Sequence, residues 1–95
     1  MDKDQQKYYE EQLEMFLSNG WRHFMEDIKR LKEFAQDIRT VENTEFSVGY
    51  RKGQLHVLDM IAALPDTIAT SYEAAEEMAE AEKQVRGAGY VAENV

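Results

Sequence analysis

Two histidines in a 95-residue chain each precede a carboxylate by three positions, His23 with Glu26 and His56 with Asp59. On a helix that spacing puts both groups on one face, where a metal or a proton could be shared. Helical bundles that hold two metals use the opposite order, Glu-x-x-His, with further glutamates turned inward. Here both histidines fall on or beside the polar face of their helices, so the expectation is a solvated histidine beside a carboxylate. No metal or cofactor is expected. A general acid or base would show as a lone carboxylate on an apolar stripe, where burial raises its pKa. None of the 19 acidic residues sits clearly in such a place. No Ser-His-Asp or Cys-His arrangement with a nucleophile turn is present either. The chain is therefore read as a non-enzyme.

Gly49 and Gly53 frame the pentapeptide GYRKG, which invites a phosphate-loop reading. It lacks the P-loop spacing and the Lys-Ser/Thr that follows, and no strand precedes it. Each glycine costs up to about 1 kcal/mol against alanine inside a helix. A packing notch for a neighbouring backbone explains the pair, with a local helix break near Gly49 as the competitor.

Elements must position whatever these residues do. The length suits one domain with a modest core, and no apolar run reaches the roughly 18–20 residues that cross a bilayer. The N-terminal MDKDQQKYYEEQ is polar and does not read as a signal peptide. The absence of cysteine excludes disulfides and thiolate metal sites and fits a reducing compartment. A net charge of −8 argues against direct nucleic-acid binding and against anionic membranes, because both need a basic face.

The fold class expected is all-α, a small three- to four-helix bundle. A first helix runs from Lys3 to Leu17, closed by Asn19 or Gly20 in the left-handed conformation. A second covers Trp21–Ile38, with Trp21, Phe24, Ile28, Leu31, Ala35 and Ile38 on its apolar face and Glu26–Arg30 as a helix-face ion pair. Asn43 or Thr44 caps the third.

Within Phe46–Pro65, the residues Phe46, Tyr50, Gly53, Val57, Met60, Ile61 and Leu64 share one face, and Leu55, Leu58 and Ala62 form a second stripe. A helix apolar on both sides is normally packed on both. This segment is thus the expected hub, with Trp21, Phe24, Ile28, Phe46, Gly49, Gly53, Val57, Ile61, Leu64 and Pro65 as helix-packing residues. Pro65 ends it at Leu64 and opens a fourth, alanine- and glutamate-rich helix from Asp66 to about Arg86. Gly87-Ala88-Gly89 then stops the chain's helix, so residues 1–86 form the domain and 87–95 a short flexible tail.

The surface offers two places for a partner. Glu73, Glu76, Glu77 and Glu80 line one side of the fourth helix near Tyr72. In the tail, Tyr90 and Val91 are either frayed or docked on another subunit.

The helix carrying Phe46, Gly49, Gly53, Gln54, Leu55, Leu58, Ile61, Leu64 and Pro65 follows the Trp-led segment GWRHFMEDIKRL and an acidic connector. Over Trp21–Ile68 this arrangement resembles small helical proteins of tailed bacteriophages. The resemblance implies a phage protein in the host cytoplasm or the virion. Its partners would be proteins, either further copies of itself or other phage proteins, in a role near the particle or its assembly. It supplies no catalytic residues. The alternative expectation is an acidic inhibitor whose glutamate row imitates nucleic acid toward a basic host protein.

Overall fold

The computed structural model describes residues 1–93, with side chains described to Arg86. The chain is all-α. Four helices, α1 (Lys3–Phe16), α2 (Asn19–Gln36), α3 (Glu45–Ala62) and α4 (Leu64–Glu93), are joined with one 3₁₀ turn at Ile38–Thr40.

The helices form two consecutive, nearly unbroken legs. Only Leu17 and Ser18 separate α1 from α2. The Ser18 hydroxyl donates to the Met15 carbonyl at 2.7 Å and accepts from the Trp21 amide at 3.1 Å, so one side chain closes α1 and caps α2. Asn19 and Gly20 therefore lie inside α2, and neither takes a left-handed conformation. That corrects the expected closure, because a serine cap supplied the turn without one.

Ala63 alone separates α3 from α4. Pro65 has no N–H to continue α3, but it fits the first turn of α4. At the far end, α4 runs through Gly87 and Gly89 to Glu93, past the predicted stop. The strong helix formers before the glycines propagate the helix. The side chains of Tyr90 and Val91 lie outside the described residues.

The legs fold back on each other, with α2 packed against α3 and α1 against α4. The result measures 72 × 34 × 15 Å, a flat, elongated layer in which each helix meets only its neighbours. Its radius of gyration is 21.3 Å, where a compact chain of this length has about 12 Å. A single layer has no interior, and among the described residues only Ile28 and Ala35 are buried.

What holds the layer is a narrow seam. On the second leg the half-buried residues Leu58, Ile61, Pro65, Ile68, Tyr72, Ala75 and Ala79 recur in alternating steps of three and four, straight across the α3–α4 break. On α2 the matching residues are Trp21, Met25, Ile28, Lys32 and Ala35. This is the 3.5-residue spacing of a coiled coil, whose contact strip uses two positions in seven. The broad apolar faces expected from the sequence are wider than that strip, and the surplus is left outside.

Candidate functional site

The surplus gathers on one side of the α2–α3 half. Leu17, Phe24, Leu31 and Ile38 stand seven residues apart and are all exposed, with Phe34 beside them. Along α3 and into the first residue of α4 the exposed set is Phe46, Tyr50, Val57, Met60 and Leu64, with the open Gly53 in step between Tyr50 and Val57. Phe46 is 82% exposed and ring-stacked on Tyr50 at 6.3 Å. Between the two helices lies an open groove of about 620 Å³, bordered by Leu31 and Phe34 on one wall and Tyr50, Gly53, Val57 and Leu58 on the other. Every residue lining it is uncharged, and Gln54 is its only amide side chain.

The expected hub is therefore packed on one side only. Leu55 and Leu58 turn toward α2, while Phe46, Val57 and Leu64 face outward. Gly49 and Gly53 are not notches for a neighbour within the chain, since nothing lies within 4 Å of where a Cβ would stand on either. Phe24 is likewise exposed, though its ring lies 5.5 Å from that of Trp21. Of the proposed packing set, Ile28 is buried and Trp21, Ile61 and Pro65 are half-buried. Trp21 also meets Phe16 edge-on at 4.8 Å, tying the two helices of the first leg together.

The groove keeps its shape because the turn beside it is pinned by Arg51. Its guanidinium donates to the carbonyls of Phe34 and Ala35 at 3.3 and 3.4 Å, where α2 ends, and to the Thr40 hydroxyl at 2.8 Å and carbonyl at 3.3 Å. It also lies 5.2 Å from the centre of the Phe34 ring. A cation on the last carbonyls of a helix satisfies orphan acceptors and complements the helix dipole. Arg51 is the structural residue that pattern reading missed. Its signal was a charged residue on the Leu55–Leu58 side, in step with a seam rather than with solvent.

The connector itself is organised by Asp37. It accepts from the Arg39 backbone amide at 3.1 Å and pairs with the Arg39 guanidinium at 3.0 Å. Those contacts, with Arg51 nearby, hold its carboxyl below the usual carboxylate range. At the start of α3, Thr44 is the cap, accepting from the Ser47 amide at 3.1 Å. Lys32 and Asp59 join α2 to α3 at 2.6 Å.

Elsewhere the polar chemistry is local. His23 lies 3.8 Å from Glu26, and both side chains are exposed. Arg30 pairs with Asp27, not with Glu26 as the spacing predicted. Among the described residues no three metal-ligating side chains come together.

The fourth helix carries its candidate residues differently from expectation. Tyr72 is a seam residue, its ring 5.2 Å from that of Tyr9 on α1. Partial desolvation, then Glu76 and Glu10, push its phenol above the usual range. It is therefore half-covered within the chain. Glu73, Glu76, Glu77 and Glu80 are exposed, and none is in an ion pair among the described residues.

Compared with known protein families, curated proteins and solved structures, the chain matches none of them.

Proposed function

We propose that this chain is a non-enzymatic protein that works by protein–protein contact, as a small structural or assembly component. The observation that carries the reading is the uncharged apolar groove of the α2–α3 half, left open in a flat layer of helices. Exposed apolar patches of this extent mark interaction sites. The resemblance of Trp21–Ile68 to phage helical proteins supplies the setting we propose, a phage particle or its assembly line. The reading is tested by particle composition and yield. The protein should be found in purified particles, or its deletion should lower their number. A protein absent from particles, whose loss leaves their yield unchanged, contradicts the role.

A second reading, inhibition of a basic host protein by imitation of nucleic acid, is favoured by one feature. The exposed Glu73, Glu76, Glu77 and Glu80 form an acidic row with no ion pair among the described residues. Replacing the four by glutamine should abolish such binding, and added salt should weaken the parent complex. Binding insensitive to both changes contradicts it.

A further inference from the structure

We infer that the open α2–α3 face is covered by the same face of a second copy of this chain, the two layers stacking as a four-helix dimer. The inference rests on the contact reading above and gives that contact its partner.

Helical spacing comes first. Phe46, Tyr50, Gly53, Val57, Met60 and Leu64 recur in steps of four and three, and Leu17, Phe24, Leu31 and Ile38 in steps of seven. A 3.5-residue repeat is what a helix presents to another helix, and this is a second such stripe beside the seam already used within the chain. A flat pair of helices with two matching stripes is complementary to another flat pair of helices. Gly53, with nothing near its Cβ position, leaves room in the groove for a side chain from the facing layer.

Charge then permits a second copy. Residues 19–62 contain seven Lys and Arg and seven Asp and Glu, so the half that bears the groove is neutral. The whole charge of −8 belongs to the α1–α4 half. Two copies can therefore stack through their neutral halves without the repulsion that the overall charge would suggest. Antiparallel stacking about a two-fold axis through the groove sends the acidic halves to opposite ends.

Area permits it. The chain exposes 7920 Å², against about 5,700 Å² for a compact chain of this mass. That surplus of roughly 2,200 Å² is spread over the whole elongated molecule, and the α2–α3 face has to supply about 800 Å² of it, the share each partner gives to a standard interface.

Sedimentation equilibrium of the full chain tests this. The parent protein should sediment at twice its 11.1 kDa mass. The double variant Leu31→Glu/Val57→Glu, altered only at exposed positions, should stay helical and dissociate about 100-fold more readily. Val57→Lys alone serves if the double variant loses its helical signal. Glu76→Gln/Glu77→Gln, on the acidic half, should remain dimeric. A parent protein that is monomeric at about 100 μM, or a dimer that survives the groove variants, overturns the proposal. A monomeric parent whose groove variants still lower particle yield would sink the second copy and leave contact with another protein. A groove-dependent dimer with unaltered particle yield would support the dimer and remove the assembly role.

Discussion

The α2–α3 half and the α1–α4 half are built on the same two-helix seam, yet they differ in everything outside it. The first is neutral, holds the only two buried residues among those described, Ile28 and Ala35, and carries a broad apolar face. The second holds the full charge of −8 and relies on aromatic and alanine contacts such as Tyr9 on Tyr72. It is also charged on both sides of its own seam, since Glu10 of α1 and Glu76 of α4 both bear on Tyr72. A two-helix layer can be solvated where its outer faces are polar. Where they are apolar it is unfinished. On the reading proposed above, association falls to one half and solvation to the other.

The largest effect should come from the seam of the neutral half. Ile28→Ala removes the most buried large side chain and should cost about 3 kcal/mol in chemical denaturation. The equivalent truncation Ile68→Ala, half-buried where the second leg enters α4, should cost clearly less. Equal losses would mean that the two halves are equally packed.

Next comes the turn. Arg51→Ala strips the acceptors at the end of α2 of their donor and should cost about 2 kcal/mol. Arg51→Lys should recover less than half of that, because an ammonium cannot span the Phe34 and Thr40 acceptors as a planar fork does. Full rescue by lysine would reduce Arg51 to a point charge.

The smaller effects are electrostatic and separate the halves by condition. Salt screens the like charges along α1 and α4, so raising it should slow amide exchange in α1 and leave α2 unchanged. The Asp37 carboxyl is held low in the folded state, so its contribution is present above the ordinary carboxylate range. It is lost as pH falls through its depressed value. Acidification should therefore loosen the Ile38–Thr40 turn, and Asp37→Asn should abolish that pH response. A turn equally stable at low pH with Asp37 intact would contradict the pairing.

Much of this fold was legible in the residues. The four helices, the Thr44 cap and the break beside Pro65 follow from periodicity, capping chemistry and proline geometry. Even the exposed face was visible, since Phe46 to Leu64 were read as one stripe and Leu55 with Leu58 as another. What periodicity could not decide was which stripe the chain would use on itself. A pattern of apolar residues records that a face is to be covered, not by what. That is why Phe46, Val57 and Gly53 read as core and stand open. Tyr72 stood both in a thin stripe with Ile68, Ala75 and Ala79 and beside a glutamate row, and the chain uses the stripe, since the Tyr72 ring meets that of Tyr9. The Gly87 stop failed because the alanine- and glutamate-rich run before it carries enough helical propensity to continue the backbone to Glu93.

Two methionines provide the most direct test. Met60 lies on the apolar face of α3 and Met78 on α4, and in the single chain they are similarly exposed, at 57% and 67%. Hydroxyl-radical oxidation of the native protein, read by mass spectrometry over a dilution series, compares them within one molecule. The account predicts that at high concentration Met60 is protected about tenfold relative to Met78, and that dilution abolishes the difference. Equal oxidation of the two at every concentration would show the α2–α3 face open to water and contradict it.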